Sequence, residues 1–290
     1  MKDKYFISIV GKSNVGKSTL INYLCNQYIT TESNKPQTTR LNILAETKID
    51  GTNLILIDTP GLTIKDSNLL SATMKKSYLR SFENLDLVII LTDISKTKKF
   101  EQSILDMIDT NTKVMIVINK IDLLDQNIQE YKKYIKTLFD KKIFFISLKS
   151  KIGLDDLIYD GIKQELSIIK SADTNKFNIR KNELIAIQEL IRGIIVNNTT
   201  QEIPYDSAVK INKSINQKLI HKIEASIFVE KINQRKILIG NNGNMIKLIG
   251  SKSRQLLEKK YNKKFYLKLD VCVKKGWKNN FSFLQEVGYL

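Results

Sequence analysis

The stretch Gly11-Lys12-Ser13-Asn14-Val15-Gly16-Lys17-Ser18 limits this chain to few architectures. Its spacing, G-x-x-x-x-G-K-[ST], needs a strand before it and a helix after it. Both are legible: Tyr5–Val10 is an apolar run, and Ser18–Gln27 has helical periodicity. The glycines let the backbone wrap an anion, so that N–H groups and the helix N-terminus face phosphate oxygens. Lys17 is then placed to reach the β- and γ-phosphates of a nucleotide, and the Ser18 hydroxyl to hold Mg²⁺. Gly11, Asn14, Val15, Gly16 and Thr19 complete the expected phosphate-binding stretch.

Further apolar runs follow at Leu54–Ile57, Leu87–Leu91, Val114–Ile118 and Ile143–Ile146. Near-continuous hydrophobicity over so few residues suits strands buried on both faces. Helical patterns at Gln129–Phe139 and Leu154–Ile169 alternate with them, which implies a mostly parallel α/β sheet. Asp50-Gly51 between Leu41–Ile49 and Asn53–Ile57 is a hairpin signal, so one edge strand should be antiparallel. The expected first domain is residues 1–170, a P-loop α/β fold.

Three short elements after these strands specify the nucleotide. Asp58-Thr59-Pro60-Gly61 sits where α/β sheets place their ligands, with Asp58 as second Mg²⁺ anchor and the Gly61 N–H sensing the γ-phosphate. Asn119-Lys120-Ile121-Asp122 selects the base. A buried Asp122 carboxylate accepts from the N1–H and 2-amino group of guanine, and adenine has neither. Asn119 and the Lys120 stem frame the purine, while Ser147-Leu148-Lys149 supplies an N–H to its O6. Between them, Lys35–Arg40 reads as a switch loop that brings Thr39, or else Thr38, onto Mg²⁺. Lys17, Thr39 and Gly61 form the expected catalytic set. Leu62 occupies the slot where many GTPases carry a water-orienting glutamine, so slow intrinsic hydrolysis is expected.

Residues 171–182 are polar and aperiodic and read as a linker. Residues 183–290 follow with the order α-β-β-α-α-β: a helix near Glu183–Val196, strands near Ser207–Ser214 and Lys222–Val229, a glycine-punctuated segment, a helix to Tyr261 and a strand from Phe265 to Val273. Charge divides unevenly. The net +17 splits into +5 over residues 1–170 and +12 over 171–290. Gly240-Asn241-Asn242-Gly243 lies between Ile237–Ile239 and Met245–Ile249, flanked by Lys236 and Lys247, with Ile239 and Ile246 available to line an apolar groove. Such a loop either clamps a nucleic-acid backbone, as KH domains do, or is a plain helix–turn–helix. Lys274, Lys275 and Trp277 add a basic tail in which the indole either stacks on a base or caps the core.

No run approaches the roughly 18 apolar residues of a membrane span. Cys25 and Cys272 are too few and too far apart for a disulfide framework, and a single histidine argues against histidine-based metal or triad chemistry. A monomer of the cytoplasm is expected.

The chain resembles the Era family of bacterial GTPases, which pair a G domain with a C-terminal type II KH domain. The resemblance rests on Gly11–Ser18, Pro36–Arg40, Asp58–Gly61, Asn119–Asp122, Glu202–Tyr205, Ile239–Gly243 and Val273–Trp277, and covers nearly the whole chain. It implies GTP/GDP and Mg²⁺ as ligands. It also implies binding to the 3′ end of small-subunit ribosomal RNA, a role in 30S subunit assembly, and GTP favouring the RNA-bound state. Asn241-Asn242 stand where relatives often have a lysine, so phosphate attraction must come from neighbours. Leu148 replaces a usual small residue and should tighten the guanine pocket.

Three other readings compete. In a signalling GTPase, the basic half would sit on the anionic inner face of the cell membrane. A nucleic-acid module with a degenerate nucleotide site is opposed by Lys17, Ser18, Asp58 and Asp122. An ATPase fails on Asp122.

Overall fold

The apolar runs form a six-stranded sheet in the order β2-β3-β1-β4-β5-β6. The structure, a computed structural model, describes residues 4–33, 35, 38–61, 68–83, 85–94, 103–109, 112–124, 128–169 and 179–290. The strands are β1 (Tyr5–Val10), β2 (Ile43–Ile49), β3 (Thr52–Asp58), β4 (Leu87–Asp93), β5 (Lys113–Asn119) and β6 (Lys142–Phe145). All neighbours pair in parallel except β2 with β3, the expected antiparallel edge. Register brings Ile9 level with Asp58, and Asp93 level with Asn119, so the functional loops leave one end of the sheet together.

Both faces of the sheet are covered, which is why the strands lack polar alternation. Ile7, Ile9, Leu54, Leu56 and Ile89 pack with α1 (Lys17–Leu24) on one side. Val88, Ile90, Ile116 and Ile118 pack with Tyr78 of α2 (Leu69–Arg80) and Ile135 of α3 (Ile128–Leu138) on the other. Each fully buried Leu or Ile contributes about 1.5–3 kcal/mol. A helical run, α4, closes the first domain through Leu154–Asp156, a π-helical Leu157–Lys163 and Gln164–Ile168.

Helix α5 (Ile179–Asn198) starts inside the segment expected to be a linker, earlier than the Glu183 read from the sequence. Residues 170–178 lie outside the described residues. Then come α6 (Ile203–Asp206), β7 (Ala208–Asn216), β8 (Ile220–Val229), α7 (Ile232–Ile239), α8 (Asn244–Tyr261), β9 (Lys264–Val273) and α9 (Phe281–Glu286). β7 runs antiparallel to β8, and β8 parallel to β9. Their buried face packs on α5, α7 and α8 through Ile191, Ile195, Ile223, Ile227, Leu238, Ile249 and Leu257. A fourth cluster joins the two halves: Leu41 and Leu70 meet Trp277, Phe283, Leu284 and Tyr289. No helix among the described residues is long and apolar enough to cross a membrane.

Candidate nucleotide and nucleic-acid sites

The loop from β1 to α1 has the shape its glycines require. Gly16 sits at φ +106°, and a Cβ there would fall 2.6 Å from Asn119 Nδ2 and 3.1 Å from Leu148 Cδ1. Side chains larger than hydrogen would push the phosphate loop off the base-selecting loops. Lys17 is 7% exposed, and its ammonium donates to the carbonyls of Gly11 (3.1 Å) and Lys12 (2.9 Å). A buried cation needs such partners. A Cβ on Gly61 would lie 2.9 Å from Ser13 Cα and 3.1 Å from Lys17 Nζ, so the loop after β3 closes on the phosphate loop.

Asp58 gathers the hydroxyls expected to hold a cation. Its Oδ2 accepts from Ser18 Oγ at 3.0 Å and Thr39 Oγ1 at 3.2 Å. Burial pushes its carboxyl up to about 6, against the opposing pull of the Lys17 charge and of hydrogen bonds from Ser18 and Thr39. Its Oδ1 is buried and has no hydrogen-bond partner among the described residues. One carboxylate, two hydroxyls and an unsatisfied oxygen fit Mg²⁺, which is usually held by one or two carboxylates together with substrate phosphates.

Several expected ligands are placed differently. Of the two threonines, the structure brings only Thr39 to Asp58. The Thr38 hydroxyl donates instead to Lys35 O at 2.6 Å. Thr59 is fully buried and its hydroxyl donates to Ile9 O at 2.8 Å, so that side chain fastens β3 to β1, and the residue also lines the cleft beside Lys17 and Gly61. Pro60 is buried beside it. Thr19 Oγ1 donates to Glu32 Oε2 at 3.0 Å, on the rim of the same cleft. Leu62 lies outside the described residues.

The base end is held by reciprocal contacts. Asn119 Nδ2 donates to Val15 O (2.8 Å) and its Oδ1 accepts from Leu148 N (3.1 Å). Lys120 Nζ reaches Asn14 O (2.7 Å) and Asp93 Oδ2 (3.0 Å), laying the lysine stem across the site. Asp122 is exposed, not buried as expected, and stands in the short 3₁₀ turn Ile121–Leu123. Ser147 Oγ donates to its Oδ1 at 2.5 Å and fixes its direction. Lys149 is exposed.

In the second domain, α7 runs into Gly240, a 3₁₀ turn at Asn241–Gly243, and then α8. A Cβ on Gly240 would lie 2.8 Å from Met245 N, at φ +73°, so this turn requires glycine. Lys236, Asn241, Asn242 and Lys247 are exposed, and Ile239 and Ile246 are half-buried. Ile237 and Leu248, on the helices either side of the loop, are exposed. Lys275 is exposed, whereas Lys274 Nζ lies 5.0 Å from the Phe283 ring centroid. Of the two roles left open for Trp277, the structure shows the core cap, not an exposed ring of the RNA-binding set. The residue is fully buried among Phe283 and Tyr289, and its Nε1–H donates to Asp206 O at 3.1 Å.

Sequence reading missed how the switch loop is seated. Thr31, Glu32, Lys35, Thr38 and Arg40 all contact α5 of the second domain. Gly193 allows the approach, since a Cβ there would meet Thr31 at 2.2–2.4 Å. Lys35 Nζ donates to Val196 O at 2.6 Å. Glu189 and Arg192 form a fully buried pair at 2.9 Å, with Glu189 Oε2 also accepting from Arg40 N and Arg192 donating to Thr38 O. The one local signal for this is a helix apolar all round with a charged pair inside it, which marks a helix buried on every side.

A glycine loop closed over buried Lys17, with the Asn119–Asp122 and Ser147–Lys149 loops fastened beside it, is the arrangement of a guanine-nucleotide domain, and the whole chain is a GTPase with an appended KH domain. Residues 6–120 match the family described as 50S ribosome-binding GTPase, and residues 202–278 match the KH domain. The sequence is 36% identical over 290 residues to GTPase Era of Lactobacillus helveticus, covering 98% of this chain and 95% of that one. The chain belongs to the GTPase Era family. Two solved structures are similar over their full length at 28% identity. Aquifex aeolicus Era bound to GDP and aluminium fluoride has a TM-score of 0.82 and covers 99% of each chain. Era in complex with MgGDPNP and nucleotides 1506–1542 of 16S ribosomal RNA has a TM-score of 0.84 and covers 100% of this chain and 99% of that one.

Proposed function

We propose that this GTPase binds the 3′-terminal region of small-subunit ribosomal RNA through its second domain. In this reading it acts in the cytoplasm, as a monomer, in 30S subunit assembly, and GTP favours the RNA-bound state. The supporting observation is the full-length similarity to Era in complex with MgGDPNP and the 16S segment. That segment belongs to the small subunit and the similarity spans both domains, whereas the match to the 50S ribosome-binding GTPase family covers residues 6–120 alone. The proposed units are a GTPase domain over 1–170 and an RNA-binding domain starting at α5.

Lys17 and the Gly61 N–H contact the γ-phosphate in this reading, and Ser18, Thr39 and Asp58 hold Mg²⁺. Bound there, Mg²⁺ neutralises charge on the β- and γ-phosphate oxygens. Lys17 can leave its two carbonyl partners for the phosphates without crossing solvent, because it is already buried against the loop. Asn119, Lys120, Asp122 and the Ser147–Lys149 loop bind guanine. Lys236, Ile239, Gly240–Gly243, Ile246, Lys247, Lys274 and Lys275 form the RNA face; Trp277 supports it from below.

Fluorescence anisotropy with a labelled oligonucleotide copying the 3′ end of the cognate 16S RNA tests this. Tighter binding with a non-hydrolysable GTP analogue than with GDP is expected, and Gly243→Asp should abolish RNA binding and leave GTP affinity intact. Equal affinity for a scrambled oligonucleotide would refute the proposal.

A further inference from the structure

Thr39 and Arg40 are consecutive, yet they are anchored in different domains. Thr39 Oγ1 lies 3.2 Å from Asp58 at the cation site. The Arg40 guanidinium is fully buried in the second domain, where Nη1 donates to Ser207 O and Nη2 to Tyr205 O, each at 2.7 Å. Those carbonyls flank Asp206, the residue on which the RNA-facing elements converge. Asp206 Oδ2 accepts from Gln234 Nε2 at 2.6 Å, its Oδ1 from Lys278 Nζ at 2.5 Å, and its carbonyl from the Trp277 indole. Gln234 stands in α7, the helix that runs directly into Gly240.

Resting on the reading of the second domain as RNA-binding, we propose that Arg40 and Asp206 are the linkage through which nucleotide at Asp58 and RNA at the Gly240–Gly243 loop set each other's affinity. The physical basis is short range. Adjacent Cα atoms are about 3.8 Å apart, so Thr39 cannot swing away from the cation site without pulling on Arg40. The guanidinium cannot follow without abandoning two carbonyls where it is buried, and there each lost partner is costly. Movement of Tyr205–Ser207 reaches Asp206, and through Gln234 the start of the clamp helix. Two sites joined this way must affect one another equally, because coupling between bound ligands is reciprocal.

The test measures that reciprocity. A fluorescent non-hydrolysable GTP analogue is titrated with and without the 16S 3′-end oligonucleotide, and the oligonucleotide with and without the analogue. Wild type should show the same factor in both directions, about tenfold. Arg40→Gln and the near-isosteric Asp206→Asn should each reduce it below about twofold. Asp206→Asn should leave the affinity for nucleotide alone unchanged, a result that a general loss of structure would not give. Undiminished coupling in Asp206→Asn and in any folded Arg40→Gln protein overturns the linkage while leaving RNA binding in place. A wild-type chain that binds no RNA overturns both readings.

Discussion

Replacing Trp277 separates support from recognition. The indole is fully buried and lies 6.0 Å from Phe283 and 6.4 Å from Tyr289, centroid to centroid. Truncation to alanine removes that packing and leaves a cavity, which costs about 3–5 kcal/mol for a large aromatic. Loss of the bond to Asp206 O adds about 1 kcal/mol. Whole domains have only about 5–15 kcal/mol, so the second domain of Trp277→Ala should sit close to unfolding. Trp277→Phe refills most of the volume and should cost about 1–2 kcal/mol, as the hydrogen bond and part of the packing are lost. Urea titration followed by far-ultraviolet circular dichroism reads these differences. Since Trp277 is the single tryptophan, wild-type fluorescence reports the same cluster and should show blue-shifted emission lost on unfolding. The decisive comparison is RNA affinity of Trp277→Phe, expected within about twofold of wild type because a phenyl refills enough of the core to keep the domain folded. A stable Trp277→Phe protein that had lost its RNA affinity would refute the buried role and restore base stacking.

Other expected outcomes follow from the nucleotide site and the charge. Thr39→Ala should slow Mg²⁺-dependent single-turnover GTP hydrolysis by at least about a hundredfold, and Thr38→Ala by much less, since only Thr39 reaches Asp58. Asp58 is raised to about 6 from an unfolded value of 3.8, so the folded state binds its proton more tightly. The nucleotide-free protein should therefore be stabilised near pH 4 by up to about 3 kcal/mol and lose that as pH rises through 6; Asp58→Asn should lack this dependence in denaturant titrations. Asp122→Ala should weaken GTP binding at least about a hundredfold and bring GTP and ATP closer in competition assays. Raising salt from about 50 to 200 mM should weaken RNA binding by orders of magnitude and GTP binding far less.

What the sequence revealed depended on how local each cause was. The phosphate loop, Asp58–Gly61 and Asn119–Asp122 were legible because a bound nucleotide demands particular backbone shapes at the ends of particular strands. Doubly buried strands announced themselves by continuous hydrophobicity, and the β2–β3 edge by its Asp-Gly turn. Helix α2 was not read, because its buried positions, Leu70, Thr73 and Tyr78, mix a polar residue with an aromatic one and blur the period. The long-range features were illegible. Thr31 against Gly193, Arg40 beneath Trp277 and Thr38 beside Arg192 join residues some 150 positions or more apart, and no spacing rule registers such pairs. Asp122 came out exposed for a similar reason: its depth depends on where the Ser147 loop sits, which its own neighbours do not encode. Trp277 was ambiguous because an indole among lysines suits either stacking or core, and only the partners at Asp206 and Tyr289 decide.

Crosslinking the GTP-loaded protein to RNA in cells, followed by sequencing of the bound fragments, goes to the heart of the proposed function. Reads concentrated at the 3′ end of 16S ribosomal RNA, and lost in Gly243→Asp, are expected. Reads spread evenly over messenger RNA, or absent altogether, are incompatible with a GTPase acting on the small subunit.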